Sequence, residues 1–276
     1  MASLPIMRKS KMLRVGVIGA GGIGLEHLKS LRQCPEAIIA GVAEASLERL
    51  EQAARKYSIR QHYRDYTKLL ADPSIDAVTI ALPNHLHAPV ALAALRANKH
   101  VFLEKPMAMN AAEAARVVRL AARRNRTLMV GHNFRFHSDT IAARALLRRG
   151  DLGSVYHARA FWLRQRGIPR IGSWFTQKRL AGGGCVADIG VHMLDTCLHV
   201  LGDFDVITVS AQTHARFGPR GRGEMDWGRS EVAAGRDSVF GKRSITHKRA
   251  RPFLFSAKKF TANCASSRLS ANKSFK

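Results

Sequence analysis

The chain has 276 residues, 46% of them apolar, enough to bury the core of one large or two ordinary domains. Its four cysteines, Cys34, Cys185, Cys197 and Cys264, stand far apart, which argues against a zinc knuckle or a dense disulfide framework and fits a reducing cytosol. The formal charge of +25 would suit a polyanionic partner if it covered a folded surface, but ten Lys and Arg and no acid follow Asp237, so the end of the chain carries much of the excess.

The opening MASLPIMRKSKM is basic but has no long apolar run. It reads as neither signal peptide nor membrane span, and no later segment reads as a transmembrane helix. Short apolar runs follow at Leu13–Ile18, Ala37–Val42, Ala77–Leu82, Val101–Leu103 and Thr127–Val130. Between them lie amphipathic stretches around Leu25–Arg32, Ser46–Lys56, Ala88–Ala97 and Ala111–Arg123. Strands alternating with helices predict βαβ units, and runs that are apolar throughout predict a parallel sheet covered on both faces. The fold class is therefore α/β, with a doubly wound N-terminal domain over 1–135.

The pattern changes near residue 150. Ser154–Trp162 is β-rich, a polar loop follows, and the turn Ala181-Gly-Gly-Gly184 leads into a predicted helix over Val186–Leu201 and a strand over Val206–Gln212. These elements predict a second, α+β unit over 136–233. Residues 234–276 are basic and Ser-rich with no strand alternation, and are expected to be disordered.

The first chemical motif is Gly19-Ala20-Gly21-Gly22-Ile23-Gly24, a G-x-G-x-x-G between a predicted strand and a predicted helix. Gly19 permits the tight turn, Gly21 lets a pyrophosphate approach the backbone, and Gly24 lets the helix pack close to the sheet. The helix start offers free N–H groups to phosphates. Glu44, at the end of the second run, is placed to hydrogen-bond a ribose 2′-OH and to repel a 2′-phosphate. NAD is the expected cofactor; NADP is the alternative, with Arg49 within reach.

Three further fragments stand where strands end at the same crevice. Pro83-Asn84-His85-Leu86-His87 contributes Pro83, Asn84 and His87 as cofactor contacts, with Asn84 also readable as a helix cap. Glu104-Lys105-Pro106 places Lys105 to stabilise charge on a reacting oxygen and Glu104 to pair with a ribose hydroxyl or the lysine. The isomer of the Lys105–Pro106 bond is left open. In Asp188-x-x-x-His192-x-x-Asp195 the spacing puts three polar groups on one helix face, and Asp188 and His192 read as an acid/base pair. A metal there would lack a third ligand by spacing, so none is expected.

Together with Gly131-His-Asn-Phe-Arg135 and Gly182-Gly-Gly184, these fragments resemble, from Leu13 to Trp227, the Gfo/Idh/MocA family of glucose–fructose and inositol dehydrogenase-like oxidoreductases. The resemblance implies a Rossmann domain followed by a domain with a large open antiparallel sheet, here incomplete. It also implies hydride transfer between NAD(P) and a sugar, cyclitol or related polyol. Lys105, Asp188 and His192 match the family's catalytic set, and Asn133 and Arg135 join them as substrate contacts. The alternative is a non-catalytic or inactive NAD-binding protein of the same fold. No nucleic acid or membrane partner is expected, the location is expected to be cytoplasmic, and a homo-oligomer is expected of the intact family fold. From about Ala234 the sequence departs from the family, which suggests truncation or a shifted reading frame; a basic appendage is the other reading.

Overall fold

The computed structural model describes residues 12–164, 169, 171–202 and 205–214. Its centre is one sheet of six parallel strands in the order β3-β2-β1-β4-β5-β6. The strands are β1 (Leu13–Ile18), β2 (Ala37–Ala43), β3 (His62–Tyr63), β4 (Ala77–Ile80), β5 (His100–Leu103) and β6 (Leu128–Val130). The chain winds outward from β1 in one direction and from β4 in the other. The ends of β1 and β4 therefore flank a crevice where the strand order reverses, the usual ligand position in such sheets.

The helices between the strands follow the predicted periodicity. They are α1 (Gly22–Gln33), α2 (Leu47–Tyr57), α3 (Tyr66–Ala71), α4 (Asn84–Arg96) and α5 (Ala111–Arg123). Ser46 caps α2 by accepting from Arg49 N–H, and Asn110 caps α5 by accepting from Glu113 N–H. Each capped start holds its helix over one face of the sheet. Leu28, Leu50 and Val42 pack on one side, and Leu95, Val117 and Leu103 on the other. The strand β3 and the helix α3 were not legible by periodicity. One has two residues and the other six, too short for a period to repeat.

After β6 comes a 3₁₀ turn, Asn133–Phe136, and then α6 (Ser138–Arg148). The short helix α7 (Lys178–Ala181) ends at Gly182, whose φ is +79°. The predicted helix Val186–Leu201 forms in two parts, a π turn over Val186–Gly190 and α8 (Val191–Leu201). The strands expected at 154–162 and 206–212 do not form, and no antiparallel sheet is present among the described residues. β-branched and aromatic composition favours extended backbone, but a strand needs a ladder partner, and none lies beside these segments among the described residues. Tyr156 is 86% and Val209 83% exposed as a result.

The stretch Lys178–Leu201, with mean hydropathy 1.2, is long and apolar enough to cross a membrane by length and composition, contrary to the sequence expectation. It is interrupted at Gly182, and its Asp188 and Asp195 pair with Lys105 and Arg135. Residues 234–276, expected to be a disordered tail, lie outside the described residues.

Candidate active site

The Gly-rich turn is shaped by two steric demands. A Cβ on Gly19, at φ +93°, would lie 2.3 Å from the Ala81 carbonyl oxygen. A Cβ on Gly24 would lie 1.9 Å from the Gly19 carbonyl oxygen, so the first turn of α1 rests directly on the loop. Gly21 and Gly22 differ, because a Cβ on either meets nothing within 4 Å. The start of α1 carries no side-chain cap and no acid in its first turn. The N–H groups of Gly22, Ile23 and Gly24 lack intrahelical partners by geometry. This is an anion cradle with room for a backbone-to-phosphate approach. The side chain of Ala20 is buried, and its N–H is already taken by a side chain outside the loop.

That N–H donates to Glu44 Oε2 at 2.8 Å. Glu44 Oε1 accepts from Ser46 N–H at 3.0 Å and from the Arg49 guanidinium at 2.8 Å. Glu44 is therefore locked at the end of β2, beside the Gly-rich loop, with Arg49 offsetting part of its charge.

On the other side of the reversal, Pro83 precedes α4, and Asn84 is the first helical residue rather than its cap. The Asn84 amide, 5% exposed, donates to the Ala181 carbonyl at 2.8 Å and so ties α4 to α7. His87 is 1% exposed, with one ring nitrogen 2.6 Å from the Pro106 carbonyl oxygen and the other 2.7 Å from that of Leu82. Both side chains thus brace the crevice wall from behind.

At the end of β5, Glu104 Oε1 lies 3.0 Å from His27 Nε2 on α1. Burial pushes the Glu104 carboxyl up, but the bond and charge of His27 and the neighbouring Lys105 outweigh it and hold it below the usual range. Gly131 lies close beside this pair: a Cβ there would stand 3.0 Å from Glu104 Oε1, so the carboxylate would have to shift slightly. The Lys105–Pro106 bond is cis. Lys105 Nζ donates to the Asp188 carbonyl at 2.6 Å and to Asp188 Oδ1 at 3.2 Å. The π turn places the Asp188 carbonyl where the lysine takes it, and such turns are frequent at functional sites.

One turn further on, His192 faces Phe134, with ring centroids 4.9 Å apart, and lies 6.5 Å from the ring of Trp162. Its Nδ1 is buried with no protein partner. Burial, and then the positive charge of Lys105, pulls the His192 pKa down to about 4, so the ring is neutral at physiological pH. Asp195 Oδ2 accepts from Arg135 Nε at 2.8 Å, and its other oxygen from Arg135 Nη2. This two-pronged pair fastens α8 to the 3₁₀ turn. Arg135, expected as a substrate contact, is thus engaged by protein, while Asn133 is exposed.

The sequence places His27 and His132 in motif fragments that resemble the family but assigns neither a role. His132 Nδ1 lies 3.6 Å from Asp195 Oδ2, and burial lowers its pKa. The only sequence signal for either was its place in a motif fragment. Its partner lies 63 residues away in one case and 77 in the other.

Residues 13–132 match the family model described as oxidoreductase family, NAD-binding Rossmann fold, and residues 140–233 match that of the GFO/IDH/MocA C-terminal domain. The chain belongs to the GFO/IDH/MocA oxidoreductase family. Among this family's members, it is similar to D-glucoside 3-dehydrogenase of Escherichia coli, at 33% identity over 84% of this chain and 66% of that protein. It is also similar to myo-inositol 2-dehydrogenase of Thermotoga maritima, at 27% identity over 69% of this chain and 55% of that protein. A solved levoglucosan dehydrogenase in complex with NADH and L-sorbose superposes with a TM-score of 0.64, at 31% identity, over 70% of this chain and 53% of that one. The chain thus spans between about half and two thirds of the length of the relatives it matches.

Proposed function

We propose that the protein is an NAD-dependent oxidoreductase that moves hydride between the nicotinamide and a CH–OH carbon of a sugar, cyclitol or related polyol. The observation that carries this reading is the meeting of Lys105, Asp188 and His192 on one side of the sheet's reversal point with an uncapped Gly-rich helix start on the other. Family relatives named for glucoside and inositol oxidation, and a neighbour solved with NADH, support it.

The residues fit the cofactor. Gly21 and Gly22 leave open backbone for a pyrophosphate, and Glu44 stands at the end of β2 where an acid reaches a ribose hydroxyl. A 2′-phosphate would meet the same carboxylate, which favours NAD over NADP even with Arg49 beside it. When bound, NAD supplies the two-electron hydride acceptor. The chain's own residues do the rest. Lys105 and Asp188 orient the substrate hydroxyl, and the lysine stabilises negative charge growing on its oxygen. His192, neutral, accepts the hydroxyl proton as the carbon-bound hydrogen leaves. In the reverse direction the same ring returns the proton. Phe134 and Trp162 close one side of His192 and limit the water around it.

The test is a panel of sugars and cyclitols with NAD or NADP, read by formation of reduced nicotinamide. Turnover with NAD that Lys105→Met abolishes supports the reading; NADH binding without turnover of any CH–OH compound favours the non-catalytic alternative.

A further inference from the structure

Lys105 has a long flexible stem, so where its ammonium acts depends on how firmly its backbone is held. On the N-terminal side it is held by β5 and by Glu104, whose carboxylate accepts from the Lys105 N–H at 3.3 Å and pairs with His27. On the C-terminal side the first group after the lysine is Pro106, which can offer only a carbonyl. That carbonyl is met by the ring of His87 at 2.6 Å. The other nitrogen of the same ring meets the Leu82 carbonyl at 2.7 Å. Leu82 and Pro106 lie on the loops that leave β4 and β5, neighbouring strands in register from Ala77↔His100 to Ile80↔Leu103. One ring therefore joins two loops that emerge side by side at the crevice.

A histidine satisfied inside a core is a common finding, and burial alone would say no more. Three features set His87 apart. Its ring is spent entirely on main-chain oxygens of two separate loops, whereas a core ring packs against side chains. Both contacts are short, so the ring sits wedged between the loops; burial lowers its pKa and keeps it neutral, so it donates its one N–H to one carbonyl and packs against the other. One of the two carbonyls belongs to the residue next to Lys105, whose Nζ reaches Asp188 across the site.

We propose that His87 is a positioning residue for Lys105: wedged between the Leu82 and Pro106 carbonyls and hydrogen-bonded to one of them, it fixes the backbone from which the lysine reaches. The role in turnover rests on the function proposed above; the bracing itself does not. A displacement of about 1 Å at a reacting group can cost on the order of a hundredfold in rate. A residue that never touches substrate or cofactor thus controls turnover through geometry.

The experiment compares wild type with His87→Phe, which keeps a ring and removes both polar contacts, and His87→Gln, which keeps one donor. Two readouts are taken on folded protein. The first is the rate at which acetic anhydride modifies Lys105, measured by peptide mass spectrometry against the exposed Lys29 in the same sample. The second is kcat together with the dissociation constant for NADH. In His87→Phe, Lys105 should be modified about fivefold faster or more and kcat should fall about ten- to a hundredfold, with NADH affinity within about twofold of wild type. His87→Gln should recover part of both losses. Unchanged Lys105 modification in folded His87→Phe, or a loss of kcat without it, overturns the proposal. A wild type that turns over no polyol defeats the proposed function, and the modification rate still decides the bracing. If neither variant folds, His87 is an ordinary core residue and the proposal fails.

Discussion

Two glycines three residues apart should respond to the same substitution differently, one losing NADH affinity alone and the other losing stability as well. Gly21→Ala adds a methyl group to a residue at φ −73° and ψ −170°, a conformation open to any L residue, with nothing within 4 Å of it. The folded protein should be as stable as wild type to within about 0.5 kcal/mol, or slightly more stable, because alanine restricts the unfolded chain. The methyl group fills the space a pyrophosphate needs, so NADH should bind at least tenfold more weakly, about 1.4 kcal/mol. In Gly24→Ala the added carbon falls 1.9 Å from the Gly19 carbonyl oxygen and 2.8 Å from the Gly19 carbonyl carbon. Neither neighbour is a side chain that can swing away, so α1 has to move off the loop. Overpacking of this kind costs roughly 1–3 kcal/mol, and for a domain of this size each kcal/mol is about 2–4 °C of melting temperature. Gly24→Ala should therefore lose both stability and NADH affinity, while Gly21→Ala loses affinity alone. Thermal melts followed by circular dichroism and NADH titration by fluorescence read both quantities. NADH affinity unchanged in Gly21→Ala would refute the placement of the pyrophosphate, and an unshifted melt in Gly24→Ala would refute the packing argument.

In the proposed reaction His192 accepts a proton on its neutral ring, and its pKa is pulled down to about 4, so kcat/KM should hold level from neutrality down to about pH 5 and fall below that. A limb near 6.5 in the pH profile would mean that the ring is not buried beside Lys105 as described. Glu44→Ala should weaken NAD and narrow its advantage over NADP, measured as the ratio of dissociation constants; NADP binding tightly to the unmutated protein would contradict the role of Glu44. Asp195→Asn removes the paired charge from Arg135, which is partly exposed, so the melt should drop by only about 2–4 °C, roughly 1 kcal/mol, while turnover falls further as α8 loosens from the 3₁₀ turn. NADH affinity should survive that change, because the pair lies away from the Gly-rich loop.

The sheet was legible because its signals are local. Five apolar runs separated by amphipathic stretches are enough to specify parallel βαβ units, and the Gly-rich turn sits between a strand and a helix as its spacing requires. Lys105 and Asp188 were legible as types of residue at strand and helix ends; that they meet at 3.2 Å depends on the π turn, for which the sequence carries no local signal. His87 illustrates the limit best. Its neighbours in sequence suggest a crevice contact, but the approach of Pro106 from the next strand turns the ring inward. The family resemblance implied Arg135 as a substrate contact, and Asp195, far along the chain, takes its guanidinium instead. The extended segments at 154–162 and 206–212 have strand composition without a partner among the described residues, and pairing is a non-local property that composition cannot supply.

In the proposed reaction Lys105, Asp188 and His192 act on a substrate beside bound NAD. The most direct measurement is single-turnover formation of reduced nicotinamide from a polyol that the wild-type protein accepts, run in parallel on Lys105→Met and His192→Ala at saturating NAD. NADH affinity should stay close to wild type in both variants and the rate should fall by about two to three orders of magnitude, equivalent to the roughly 3–4 kcal/mol expected for losing an electrostatic contact at the reacting oxygen. Wild-type rates in either variant would contradict the proposed reaction.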